Sequence, residues 1–141
     1  MTQPGRILTG DFTASAVTRD DYYNITSTGM EIKVEGAKYH FFFRRDKYIS
    51  IEVVTSNNIQ PGNFPLDTTS SDIAMYYIDT SKPPVLRLRI DQGSLNVTKT
   101  LQWEGATLPA EAGFLAAGGT SGFTIRLSRG KLQLKDVPIT Q

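Results

Sequence analysis

Two stretches of this chain set apolar and polar residues in alternation on either side of a glycine. One is Leu86-Arg87-Leu88-Arg89-Ile90, Asp91-Gln92-Gly93, Ser94-Leu95-Asn96-Val97; the other is Phe123-Thr124-Ile125-Arg126-Leu127, Ser128-Arg129-Gly130, Lys131-Leu132-Gln133-Leu134. A period of two suits an extended strand, whose successive side chains point to opposite faces, and does not suit a helix. Each stretch reads as a hairpin whose three-residue loop takes its positive φ from the glycine. Apolar side chains fall on one face and Arg, Lys, Gln and Asn on the other, so the chain is expected to build antiparallel sheet with one wetted face.

The same parity runs through the N-terminal half. In residues 7–17, Leu8, Gly10, Phe12, Ala14 and Ala16 alternate with Thr9, Asp11, Thr13 and Ser15. That is a strand with small inward residues, in which Gly10 marks a bulge or a close backbone approach. Met30-Glu31-Ile32-Lys33-Val34-Glu35 leads through Gly36-Ala37-Lys38 into Tyr39-His40-Phe41-Phe42-Phe43-Arg44-Arg45. Asp46-Lys47 then turns into Tyr48-Ile49-Ser50-Ile51-Glu52-Val53-Val54, completing a three-strand meander. Residues 55–72, rich in Ser, Thr, Asn, Pro and Asp, read as a loop with a turn at Gln60-Pro61-Gly62-Asn63.

Ile73-Ala74-Met75-Tyr76-Tyr77-Ile78 is a short strand, and Ser81-Lys82-Pro83-Pro84 an extended connector. Residues 98–105 continue a strand. The Ala- and Gly-rich residues 106–122 hold the one segment that reads as a helix, about two turns from Pro109. The fold expected is all-β: an antiparallel β-sandwich of about eight to ten short strands, with a partly closed β-barrel as the alternative. Large inward residues Ile32, Phe41, Ile51, Leu88 and Ile125 favour a filled core over a cavity. A length of 141 residues suits one domain, 1–141, that needs no disulfide or metal staple.

An alternating strand is followed by Pro61-Gly62-Asn63-Phe64-Pro65-Leu66, the Tyr76-Tyr77 strand, Gly93-Ser94-Leu95-Asn96-Val97 and a closing Gly122-Phe123-Thr124-Ile125-Arg126-Leu127. This order, over residues 30–135, resembles small uncharacterised bacterial all-β domains, several of them surface lipoproteins. The resemblance implies a cell-envelope or secreted sandwich domain and carries no catalytic residues.

Composition narrows the function. Fifteen Lys and Arg against fourteen Asp and Glu leave a net charge of +1, so no global field draws the chain to nucleic acid or anionic membrane. Without cysteine there is no disulfide, thiolate zinc site or thiol nucleophile. With one histidine, His40, there is no three-histidine metal site, and His40 reads as a polar strand residue facing away from Tyr39, Phe41 and Phe43. Gly118-Gly119-Thr120-Ser121-Gly122 lacks the lysine of a phosphate-binding loop and reads as a flexible loop. The carboxylates Asp20-Asp21, Asp67, Asp72, Asp79, Asp11, Glu104 and Glu111 read as turn formers and match no calcium loop. No cofactor or metal is expected.

Arg87, Arg89, Arg126, Lys131 and Lys135 read as a solvated sheet face. No segment approaches the roughly 20 apolar residues that span a bilayer, and residues 1–6 carry no apolar leader. The expectation is a soluble chain without membrane insertion, in the envelope or secreted if a leader has been removed.

Aromatic residues supply the functional expectation. Tyr22-Tyr23 and Tyr76-Tyr77 are adjacent on strands, so one ring of each pair faces away from its neighbour, and Trp103 stands between Gln102 and Glu104. Flat rings beside hydrogen-bonding groups stack sugars or anchor a protein partner. The candidate binding residues are therefore Tyr22, Tyr23, Tyr76, Trp103, Gln102 and Glu104, in a non-catalytic recognition module for a glycan or protein partner. The alternatives are an assembly domain joined through strand edges and, third, a small hydrolase built on two carboxylates.

Overall fold

A computed structural model describes residues 6–27, 30–67, 72–81, 83–120 and 122–138, and among them eleven strands and no helix. The strands are β1 (Arg6–Thr18), β2 (Tyr22–Ser27), β3 (Met30–Glu35), β4 (Lys38–Arg44), β5 (Ile49–Ser56) and β6 (Gly62–Pro65), followed by β7 (Ile73–Asp79), β8 (Leu86–Arg89), β9 (Gln92–Trp103), β10 (Ala106–Thr120) and β11 (Phe123–Pro138). One sheet has six strands in the order β2-β1-β11-β10-β9-β6, the other five in the order β3-β4-β5-β7-β8; all pairings within them are antiparallel. The sheets face one another as a β-sandwich and do not close into a barrel. Residues 1–5 of the segment 1–6 read for a leader, residues 28–29, residues 68–71 of the expected loop, Lys82 of the expected connector and Ser121 of the expected loop lie outside the described residues.

The parity of β1 places Leu8, Phe12, Ala14 and Ala16 in the core. Phe12 meets Phe43 of the other sheet and Phe114 of its own, each at 5.2 Å between ring centroids. The small residues flanking Phe12 leave room for these rings. A Cβ on Gly10 would stand 2.7 Å from Leu134 Cδ2 and 3.2 Å from Phe43 Cε1, so this glycine marks a close approach. The bulge lies further along, where the pairing with β11 shifts between Thr13 and Ser15. The β3-β4-β5 meander forms as expected. As an edge strand β3 leaves Val34 exposed and packs Ile32 against the core rather than inside it.

The two glycine-centred phrases take other forms. Leu86 to Val97 is no hairpin: β8 is an edge of the five-stranded sheet, β9 lies inside the six-stranded one, and Ile90-Asp91 carries the chain between them. Ile90 is buried and its N–H bonds to the Met75 carbonyl at 2.8 Å, while the Asp91 N–H bonds to Ala117 of the other sheet at 3.2 Å. Gly93 (φ 105°) serves close strand packing here, because a Cβ would lie 2.0 Å from the Leu115 carbonyl oxygen. Phe123 to Leu134 is one strand, β11, bonded to β1 on one side and β10 on the other.

Within β11, Ser128-Arg129-Gly130 holds a bulge: Ser128 still pairs with Ser15 of β1 and Gly130 with Phe114 of β10, while Arg129, at φ 52°, is skipped by both registers. Gly130 accommodates the Phe114 ring, since a Cβ would fall 2.3 Å from Phe114 Cε2.

The helix expected from Pro109 is also corrected, because residues 106–120 form the central strand β10 and Gly118-Gly119 belongs to it rather than to a loop. Ala112, Phe114, Ala116 and Gly118 face inward, yet Gly113, Ala117 and Gly119 on the other face are equally small, which hides the period. The loop expected at 55–72 begins inside β5 and contains β6, paired with β9, and Gly62 and Asn63 of the expected turn at 60–63 belong to that strand. Arg87 and Arg89 lie on the five-stranded sheet, whereas Arg126, Lys131 and Lys135 lie on the six-stranded one, so they do not share one sheet face. No helix among the described residues is long and apolar enough to cross a membrane.

Candidate functional site

The six expected binding residues do not form one site. Tyr22 points out from β2 and is 65% exposed. Tyr23, of opposite parity, turns towards the other sheet: its hydroxyl lies 3.0 Å from that of Tyr77, and the Arg45 guanidinium sits 4.1 Å over its ring. Tyr77 stacks on Phe123 at 5.3 Å, and burial pushes its phenol well above the usual tyrosine range.

Tyr76 stands on the outer face of the five-stranded sheet, beneath Arg87. Trp103, Gln102 and Glu104 lie at the β9–β10 turn, at the other end of β10 from Ala117. Trp103 is half-buried, edge-on to Tyr39 at 6.4 Å, and its indole N–H is buried without a partner. Gln102 donates to Thr107 Oγ1 at 2.7 Å, and Glu104 takes φ 49° in the turn.

Tyr22 pairs across strands with Val17, which lines a cleft. The registers of five strands align Tyr22, Val17, Arg126, Ala117 and Gln92 in one row across the outer face of the six-stranded sheet. Against this row lies a cleft of about 600 Å³. Ala117, Gly118 and Gly119 line it with nothing larger than a methyl group, which lowers the sheet surface between the longer side chains of β11 and β9. Its polar groups are Thr18 and Arg19 at the end of β1, Thr124 and Arg126 on β11, and Asp91 and Gln92 where the chain enters β9. Val17, 42% exposed, adds an apolar shelf next to the Tyr22 ring. The alternation of residues 123–127 was readable from sequence, but the row was not, because it depends on five strands drawn from distant segments.

A second polar assembly occupies the outer face of the five-stranded sheet, and Glu52 is its centre. Ile51 and Val53 point into the core, so Glu52 points outward, yet it is only 3% exposed. His40 Nδ1 donates to its Oε2 at 2.7 Å, while Arg87 donates to Oε1 through Nε at 3.1 Å and Nη2 at 2.9 Å. The guanidinium lies 3.7 Å over the Tyr76 ring, and the His40 ring stacks on Phe42 at 6.5 Å. These side chains roof the carboxylate and satisfy it, as burial of a charge requires.

His40 Nε2 lies 4.0 Å from Glu35, whose carboxyl Lys33, at 2.7 Å, holds below the usual range. Among the described residues no three His, Asp or Glu side chains converge to hold a metal. Sequence spacing does not reveal this pair, because Glu52 sits diagonally from His40 across the β4–β5 ladder, opposite Phe42. The assembly locks His40, Arg87 and Tyr76 against each other and adds rigidity to the face it covers. No protein-family model, curated protein or solved structure matches the chain.

Proposed function

We propose that this chain is a recognition module that binds a saccharide on the outer face of its six-stranded sheet, in the cleft beside Tyr22. The observation that carries this reading is the row Tyr22-Val17-Arg126-Ala117-Gln92 with the cleft of about 600 Å³ against it. That volume lies in the range of small-ligand sites, roughly 300 to 1,000 Å³. An exposed ring offers a face on which a sugar stacks, and the amide, hydroxyl, carboxylate and guanidinium groups around the cleft suit the hydroxyls of a sugar ring.

A binding role is favoured over hydrolysis by the acids present. Asp91 is the one carboxylate among the described residues lining the cleft, whereas glycosidic cleavage uses two. The test is a glycan array probed with the full chain and with Tyr22→Ala, a change at an exposed position that leaves the core intact. Binding by the full chain, weakened about 10-fold or more in the variant, supports the reading, a factor of ten being about 1.4 kcal/mol. An array that stays blank, or a variant that binds like the parent, overturns it.

A further inference from the structure

We infer that the ligand of this cleft is an acidic saccharide, its carboxylate held by Arg126 and Arg19; this rests on the saccharide reading above. Arg44, Arg45 and Arg87 each pair with a carboxylate of the fold, Glu31 at 2.9 Å, Asp46 at 3.3 Å and Glu52 at 2.9 Å. Arg19, Arg89, Arg126 and Arg129 pair with none among the described residues, and of these Arg19 and Arg126 line the same cleft.

Their surroundings explain this. Arg126 stands across from Val17 on one side and Ala117 on the other, so its cross-strand neighbours offer neither a counter-charge nor a hydrogen-bond acceptor on their side chains. Asp20 and Asp21, which follow Arg19 in sequence, form no ion pair with it, and Asp21 Oδ1 accepts the Tyr22 N–H at 2.8 Å. Asp91 lines the cleft from the entry to β9 but lies within ion-pair distance of neither guanidinium. The cleft thus holds two cations against one anion, on a floor of small residues where a ligand can come close to both.

A guanidinium presents its N–H groups as a planar fork, and that fork matches a carboxylate bidentately. A sugar ring stacked towards Tyr22 and Val17 with its carboxylate over Arg126 would satisfy the unpaired charge and leave the ring hydroxyls to Gln92, Thr124 and Asp91. A neutral sugar would leave both guanidiniums as they are. Acidic sugars are therefore favoured through charge, and the preference weakens as ionic strength rises.

The test is calorimetric titration of the full chain with oligogalacturonate and its methyl ester, and with sialyllactose and lactose. The same titrations are made on Arg126→Gln and Arg19→Gln, whose folding is checked by circular dichroism. The expected result is that at least one acid binds about 10-fold or more tightly than its uncharged counterpart, and that Arg126→Gln abolishes the preference. Equal binding of acid and counterpart, binding of the uncharged sugars alone, or a preference that survives in both variants overturns this inference while leaving the saccharide reading intact. Failure of all four probes, together with a blank array, overturns both.

Discussion

Removal of Arg87 should cost more than an exposed arginine on a sheet edge ordinarily does, because its partner is a carboxylate that the fold has buried. In Arg87→Met the hydrocarbon stem over Tyr76 is kept, but Glu52 Oε1 loses both of its donors and retains only what His40 gives to Oε2. Breaking a buried ion pair from one side costs about 3 to 5 kcal/mol. The Arg87 side chain is 49% exposed, and its removal lets water reach Glu52, so the expected loss is smaller, about 2 to 3 kcal/mol.

The double variant Glu52→Gln/Arg87→Met removes the stranded charge as well and should fall only about 1 kcal/mol below the parent. A double-mutant cycle by urea denaturation at neutral pH should then give a coupling of at least about 1 kcal/mol. If the two substitutions are additive, or if Arg87→Met alone costs less than about 0.5 kcal/mol, Glu52 is not held by Arg87 and the account of this assembly is wrong.

Two further outcomes follow from single contacts. Gly130→Ala places a Cβ 2.3 Å from the Phe114 ring and should destabilise by about 2 kcal/mol or more; Phe114→Leu in the same chain should restore part of the loss, seen as a recovered thermal midpoint. Asp46 Oδ1 accepts the N–H groups of Tyr48 and Ile49 at 2.8 Å each, and these bonds hold its carboxyl below the usual range. Its contribution is therefore complete above the unfolded value near pH 4 and fades as pH falls through the lower folded value. Asp46→Ala should cost about 1 kcal/mol at neutral pH, and the gap to the parent in denaturant midpoints should close under strongly acidic conditions.

What could be read in advance was parity, and what could not was partnership. The inward set of β1, the meander from Met30 to Ser56 and the outward direction of His40 all follow from alternation, which is local. Leu86 to Val97 and Phe123 to Leu134 obey the same grammar, yet one crosses between sheets and the other runs straight through a bulge. A glycine beside polar residues is compatible with a turn, a crossing or a bulge. The choice is made by remote strands: Met75 and Ala117 bond the crossing, and β1 and β10 bond either side of the bulge. β10 stayed hidden because small residues on both faces erase the contrast on which alternation depends.

The candidate sites divide in the same way. Tyr22 was legible as a ring beside one of opposite parity, but which of the pair faced outward was not. Arg126, Ala117 and Gln92 become its neighbours only through the registers of β1, β11, β10 and β9. Glu52 read as one more polar residue on a half-wet strand, since its burial comes from side chains on other strands that lean over it. Trp103 drew notice as the lone tryptophan flanked by polar residues, and its place at the core's margin depends on Tyr39, far away in sequence.

The position of β11 gives the six-stranded sheet an order of completion. The last strand in the sequence lies between the first strand and β10, so β1-β2 on one side and β10-β9-β6 on the other share no ladder until it arrives. A nascent chain can hold two separate half-sheets while residues 123–138 are still being made, and the sheet closes only through contacts spanning most of its length, a topology associated with slow folding. The row that carries the cleft crosses that seam, with Tyr22 and Val17 on one half, Ala117 and Gln92 on the other, and Arg126 on the strand that unites them. The row proposed to bind a ligand is therefore complete only with β11 in place, and displacing β11 divides it.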